Sequence, residues 1–314
     1  MTKVTIIGAG NVGSTIAYTL AVTGTADEIV MIDVNQKRAL GEALDIRQSA
    51  PFCSPMTIYA GDYPDAAGSS IVILTSGVAR KPGQTRLELE QTNVNITKSI
   101  IPQITKYAPD ATYIIVANPV DILTYTFVRC SDIPASRVIG SGTILDTARL
   151  RQRLSEYYNI SQQNVHAWVF GEHGDSSFIP WSQASISGVP IDNFDEALHG
   201  RDEITPDLNR ADVEAYVRKS GGRIIERKGA TYYAIAASVN HICQSLAGRL
   251  DRTMTVSTLM EGEYGISDVC LSVMNIVGAG GANGKVLYPL SDEEQALLHK
   301  SANALKEVIA GLEI

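Results

Sequence analysis

Between Ser141 and Asp175 the chain carries an aspartate at Asp146 and an arginine three residues later at Arg149. Beyond a helix-like segment and an apolar, strand-like run, it carries a histidine, His173, within Gly171-Glu172-His173-Gly174-Asp175. Histidine is the side chain best suited to exchange a proton near neutral pH. A buried carboxylate on its second ring nitrogen would fix the tautomer and stabilise the imidazolium. An arginine can grip a planar carboxylate through two parallel hydrogen bonds. The stretch therefore reads as a proton-transfer group beside an anion clamp. Taken alone, the same residues also fit an ion pair and an ordinary hydrogen-bonded histidine.

The elements that would position this chemistry begin at the N-terminus. A β-branched run from Lys3 to Ile7 passes directly into Gly8-Ala9-Gly10-Asn11-Val12-Gly13, and the composition from Ser14 to Val22 is helical. In such a strand, glycine turn and helix, Gly8 permits the tight turn, Gly10 lets the backbone approach a pyrophosphate and Gly13 lets the helix pack on the strand, while the helix N-terminus offers free donors. A second apolar run, Glu28 to Ile32, ends in Asp33, which lies 20 residues after Gly13. An acid there suits the ribose hydroxyls of adenosine and repels a 2′-phosphate, so NAD is expected over NADP. A turn aspartate after an ordinary βαβ unit is the plainer alternative.

Further apolar runs, Ser70 to Thr75 and Ala111 to Ala117, alternate with helical stretches. This implies parallel strands with crossover helices and a ligand site at the strand carboxyl ends. Asn118-Pro119-Val120-Asp121 sits at such an end, where Asn118 could bond a substrate hydroxyl or simply make a turn. The segment Ser76 to Arg86 brackets a basic stretch with two glycines and a proline, and reads as a flap closing over an anion. The helix after it should bury Leu87, Val94, Ile101 and Ile104 and kink or break at Pro102. Beyond Asp175 we expect a loop-like acidic tract from Ile191 to Glu203. A helical region from Pro206 to Ala247 follows, interrupted at Gly221-Gly222 and at Lys228-Gly229-Ala230-Thr231. Next come β-like runs at Thr253 to Leu259 and Val269 to Val277, a turn from Ala279 to Gly284, a strand near Lys285 to Tyr288, and a terminal helix opened by the capping box Ser291/Glu294. The fold class is α/β: an N-terminal, doubly wound Rossmann sheet over 1–140 and an α+β substrate domain over 141–314.

Composition sets limits. At 314 residues, 45% apolar and 19% charged, the chain can bury a large core or two closely joined ones. A net charge of −8 argues against a nucleic-acid-binding surface. No apolar run reaches the roughly 18 residues a membrane helix needs, and MTKVTIIGAG lacks the features of a signal peptide. Cysteines 53, 130, 243 and 270 share no metal-like spacing, which favours buried thiols in a reducing cytoplasm and no metal. A soluble, cytoplasmic protein without membrane or nucleic-acid partners is expected.

Several motifs in order now resemble one family over essentially the whole chain: GAGNVG with Asp33, KPGQTR, NPVDILTY from Asn118, GSGTILDTARLR from Gly140, GEHGD from Gly171 and KGATYY from Lys228. The chain is similar to the 2-hydroxy acid dehydrogenases of the lactate/malate dehydrogenase superfamily. The resemblance implies that His173 takes the hydroxyl proton as hydride leaves for the nicotinamide of NAD and that Asp146 orients the imidazolium. It further implies that Arg149 holds the C1 carboxylate and that Arg86 polarises the carbonyl when the flap closes. Asn118 would assist at the substrate oxygen beside the cofactor. Thr231 and Ile235 would line the pocket near the substrate side chain and nicotinamide, a place equally compatible with helix packing. Gly8, Gly10, Asn11, Val12, Gly13 and Asp33 would hold NAD.

The choice of acid points elsewhere. The framework leans toward lactate enzymes, yet Arg80, six residues before Arg86, stands where they typically carry glutamine and malate enzymes carry arginine. Oxaloacetate could pair Arg149 and Arg80 with its two carboxylates, whereas pyruvate would leave Arg80 desolvated without a partner, a cost of several kcal/mol. On sequence the expected function is malate dehydrogenase on a lactate-dehydrogenase-like scaffold, with L-lactate dehydrogenase as the alternative and a non-catalytic NAD-binding protein as a reading of another class. Arg151 and His166 match positions that, in allosteric bacterial lactate dehydrogenases, bind fructose 1,6-bisphosphate across a subunit interface; inherited residues without a ligand are the alternative. The resemblance also implies a homo-oligomer, with a tetramer favoured over a dimer.

Overall fold

The computed structural model describes residues 2–78, 83, 85–200 and 208–314. Its elements run β1 (Lys3–Ile7), α1 (Asn11–Thr23), β2 (Glu28–Ile32), α2 (Gln36–Gln48), β3 (Thr57–Ala60), β4 (Ile71–Leu74), α3 (Arg86–Tyr107), β5 (Thr112–Ile115), α4 (Val120–Cys130), β6 (Val138–Gly140) and α5 (Ile144–Tyr158). There follow β7 (Val165–His166), β8 (Ser185–Ile186), β9 (Val189–Pro190), α6 (Ile191–Ala197), α7 (Arg210–Lys228), α8 (Tyr233–Leu246), β10 (Arg252–Glu261), β11 (Ser267–Gly278), β12 (Gly281–Lys285) and α9 (Asp292–Ala310).

Nine strands make one sheet in the order β12-β11-β10-β6-β5-β4-β1-β2-β3. The six from β6 to β3 are parallel, and β10, β11 and β12 extend them antiparallel, joined by Ser257 opposite Gly140. The chain starts in the middle, runs outward through β2 and β3, then returns to the other side of β1 at β4. That reversal opens a crevice at the carboxyl ends of β1 and β4, the usual ligand position in such sheets. Both faces are covered, which is why the strands read as unbroken apolar runs. On β4, Val72 and Leu74 enter one core while Ile71 and Ile73 enter the other, and on β5 Tyr113 and Ile115 alternate in the same way with Ile114. A third core under the small sheet β7-β8-β9 gathers Leu150, Leu154, Tyr158, Ile186 and Phe194.

Several expectations are corrected. Helix α3 runs through Pro102 without a break. That residue is exposed, so a carbonyl deprived of its amide partner can be served by solvent. Leu87 is also exposed, although Val94, Ile101 and Ile104 are buried as expected. Helix α7 continues through Gly221-Gly222 and ends only at Gly229, whose positive φ closes it. The acidic tract begins with helix α6 rather than a loop, and residues 201–207 lie outside those described. The final strand lies at Gly281–Lys285, so the glycine-rich segment is itself the strand edge. Cys243 and Cys270 are buried, whereas Cys53 and Cys130 are only half-buried. Among the described residues no helix is long and apolar enough to cross a membrane.

Candidate active site

The glycine turn is built by close approach. Gly8 has φ +106°, and a Cβ on it would meet Thr75 Oγ1 at 2.6 Å; Gly13 packs so tightly that its Cβ would lie 1.8 Å from the Gly8 carbonyl oxygen. The Thr75 hydroxyl donates to that same oxygen at 2.9 Å and ties the turn across the switch point. Gly10 differs, because a Cβ there would meet nothing within 4 Å. The space over its backbone is open, and α1 begins with no side-chain cap and no acid in its first turn. Unused amide donors at an uncapped helix start are what an anionic pyrophosphate requires, so these residues fit a dinucleotide. Asp33 accepts from the Ala9 amide at 2.6 Å through Oδ2 and from the Asn35 amide at 2.8 Å through Oδ1. It therefore braces the turn, and each oxygen keeps a lone pair for a further donor.

The crevice leads to the histidine. A cavity of about 210 Å³ along Val12, Thr75, Val116 and Asn118 shares Val12, Val116 and Asn118 with one of about 280 Å³. The larger cavity is lined by Asp146, Arg149 and His173 together with Thr231, Ile235 and the glycine pair of α7. His173 Nδ1 lies 2.6 Å from Asp146 Oδ2, and Arg149 donates to Asp146 Oδ1 at 2.8 Å. One buried carboxylate thus holds both cationic groups. Burial alone would raise the Asp146 pKa, but His173 and Arg149 outweigh it and hold the group below the usual carboxylate range. Burial likewise opposes charge on His173, yet Asp146 and then Asp121 outweigh it and raise its pKa above the ordinary value. With Nδ1–H engaged by a carboxylate, Nε2 is the nitrogen free to exchange a proton with a ligand. The histidine side chain remains 29% accessible.

Its segment is pinned from several sides. Gly171 exchanges two backbone hydrogen bonds with Ser272 of β11, and Phe170 pairs with Phe178. The Glu172 amide donates to Ser301 Oγ of α9 at 2.7 Å, and the His173 amide donates to Asp121 Oδ2 of α4 at 2.7 Å.

Not every expected residue reaches the cavity. Arg86 is turned away, donating through Nε to the buried Glu90 at 2.9 Å with Glu172 3.6 Å from its other end. It lines a neighbouring cavity of about 370 Å³ on the Asp121 side of His173. Arg80 lies outside the described residues. Arg151 donates to the Ala167 carbonyl at 3.2 Å, next in sequence to the exposed His166, and burial depresses its pKa. It lines a separate cavity of about 450 Å³ with Trp168 and His241.

Asp121 stands in Asn118-Pro119-Val120-Asp121, where the sequence assigns it no task. An acid in the first turn of a helix that starts at a strand's carboxyl end was the available signal. The sequence reads the glycine pair of α7 as a break and assigns Glu90 nothing. Neither carries a local signal of cavity contact.

A doubly wound sheet with a glycine turn at its switch point, and a histidine held by a buried carboxylate at the end of the same crevice, define an NAD-dependent oxidoreductase acting on a hydroxy acid. The models of two domains match nearly the whole chain, the lactate/malate dehydrogenase NAD binding domain over residues 2–140 and the lactate/malate dehydrogenase alpha/beta C-terminal domain over 143–313. The chain belongs to the lactate/malate dehydrogenase family. It is 47% identical to an L-lactate dehydrogenase of Acetivibrio thermocellus over 312 residues, covering 99% of this chain and 98% of that one. It is 46% identical to the L-lactate dehydrogenase of a Thermoanaerobacter species over the full length of both. Among solved structures, a minor L-lactate dehydrogenase from Enterococcus mundtii in a ligands-bound form superposes with a TM-score of 0.94 at 36% identity, covering 100% and 99% of the two chains.

Proposed function

We propose that this chain interconverts an L-2-hydroxy acid and its 2-oxo acid, and that the pair is L-lactate and pyruvate. The observation that carries the reaction is the His173–Asp146–Arg149 cluster at the end of the dinucleotide crevice. The substrate reading rests on the full-length relatives, all of those quoted above being L-lactate dehydrogenases. In the reduction, His173 holds a proton on Nε2 and passes it to the substrate oxygen. Asp146 keeps the ring oriented and favours its charged form, and Arg149 holds the substrate carboxylate with the planar fork that a lysine lacks. NAD, when bound, supplies the hydride acceptor and, as NADH, the donor. Gly8, Gly10, Asn11, Val12 and Gly13 would seat its pyrophosphate and Asp33 its ribose, with Asn118 and Ile235 toward the nicotinamide and Thr231 toward the substrate side chain. Arg86 has to leave Glu90 to reach the substrate carbonyl. In this reading residues 1–140 bind the cofactor and 141–314 the acid.

A second reading, malate and oxaloacetate, rests on Arg80 in the sequence. Sequence alone put that reading first; the relatives reverse the order. Comparing kcat/KM for pyruvate and oxaloacetate with NADH decides between them. Preference for pyruvate supports lactate, and preference for oxaloacetate replaces it with malate. Regulation by fructose 1,6-bisphosphate at Arg151 and His166, assembly as a homotetramer and a cytoplasmic location complete the proposal.

A further inference from the structure

We infer that Asp121 is a positioning residue for His173, holding it from the main-chain side while Asp146 holds its ring. The two carboxylates approach the same residue from different elements. Asp146 on α5 takes the imidazole Nδ1 at 2.6 Å, and Asp121 in the first turn of α4 takes the backbone amide at 2.7 Å. Asp121 is 3% exposed and only one of its oxygens is used. Its Oδ1 is buried without a hydrogen bond among the described residues, and so is Ser257 Oγ. That hydroxyl lies beside the carboxyl and favours its ionised form, but outside the geometry of a formed bond. A buried, half-satisfied carboxylate is costly to a fold and persists where something depends on it.

The groups around it are accounted for. Glu172 opposes its charge from the histidine segment, and the Cys270 thiol of β11 is pushed up by burial and by Asp121. Arg86 and Glu90 share the cavity on this side but bond to one another. Asp146 bonds the ring of His173, and Arg149 bonds Asp146. Burial raises the Asp121 carboxyl to about 6, so at neutral pH it is charged and its field stabilises the imidazolium. Asp121 has thus two effects: it fixes where the histidine backbone sits, and it favours the proton-loaded ring.

This inference rests on His173 being the proton-transfer group, and the experiment keeps the two apart. His173→Asn, Asp121→Asn and Asp121→Ala would be compared with the wild-type enzyme in NADH-dependent reduction of pyruvate and oxaloacetate between pH 5 and 9, with NADH affinity and melting temperature as controls. Loss of activity in His173→Asn supports the proton-transfer role, and retained activity removes it together with the inference. Asp121→Asn keeps an oxygen for the His173 amide, and its new N–H groups face Ser257 Oγ. It should keep kcat near wild type at low pH while the alkaline limb of kcat/KM moves down by roughly one unit. Asp121→Ala loses both effects, so its limb should move equally and its kcat should fall by ~10²-fold with KM little changed. If His173→Asn is inactive but the limb stays in place in both Asp121 variants, with any loss of rate following loss of folded protein, Asp121 is structural only and the inference is overturned.

Discussion

Gly10 and Gly13, three residues apart in the turn, separate folding from cofactor binding in one pair of variants. In Gly13→Ala the new Cβ would sit 1.8 Å from the Gly8 carbonyl oxygen, 2.9 Å from Thr75 Oγ1 and 3.0 Å from the Gly8 carbonyl carbon. An ordinary carbon–oxygen contact is about 3.3 Å, so the α1 start and the β1 turn must separate by ~1.5 Å. The closest atom, the Gly8 carbonyl oxygen, belongs to the backbone and cannot rotate away. Overpacking of this kind costs ~3 kcal/mol or more, which for a chain of this size corresponds to a fall in Tm of about 5–10 °C. Gly10→Ala meets nothing within 4 Å and has φ −72°, which any residue adopts. It should melt within ~2 °C of the wild type, given the small backbone term expected at a compatible site. Its methyl would occupy the open space over the turn, and loss of one hydrogen bond to a charged phosphate, ~1.5–3 kcal/mol, weakens NADH binding by ~10–100-fold. Thermal unfolding by circular dichroism and titration of NADH fluorescence measure the two effects. An unchanged Tm in Gly13→Ala, or an unchanged NADH affinity in Gly10→Ala, would refute the reasoning.

Other outcomes follow from the charged groups. Asp146→Asn removes the charge that raises the His173 pKa; reduction needs the protonated ring, so its rate should fall at lower pH than in the wild type, with kcat down ~10²–10⁴-fold in pH–rate profiles. Asp121→Asn should raise stability at pH 7.5. The folded pKa of about 6 exceeds the ordinary 3.8, so the folded state is increasingly penalised as pH rises between those values and carries the full penalty, ~3 kcal/mol, above them. Melting curves should show a gain at pH 7.5 that vanishes near pH 4, and an equal gain at both would contradict the assignment. Arg149→Lys replaces a planar fork by a point charge and should raise KM for the 2-oxo acid by ~10²-fold, measured by initial rates. Fructose 1,6-bisphosphate should lower KM in the wild type and have no effect on Arg151→Gln; a flat response in both removes the regulatory proposal.

The frame of the molecule was legible because β1, β2, β4 and β5 are buried on both faces and Gly8 and Gly13 each answer a steric demand within the same few residues. His173, Asp146 and Arg149 were legible as a set because two of them share the first two turns of α5, Asp146 buried and Arg149 largely so. What sequence could not show depends on contacts between distant segments. Pro102 and Gly221-Gly222 break helices by local propensity, but α3 and α7 are held by packing against α4 and α5. The orientation of Arg86 follows from a buried Glu90 one turn away, and no spacing rule distinguishes a partner from a bystander. Asp121 lies 52 residues from the amide it holds.

The most direct test of the account compares wild type and His173→Asn in NADH oxidation with pyruvate, with NADH affinity measured on both. Turnover by the wild type, a loss of at least ~10³-fold in the variant and unchanged NADH binding are predicted. A variant within tenfold of the wild type would contradict the central claim that His173 carries the proton.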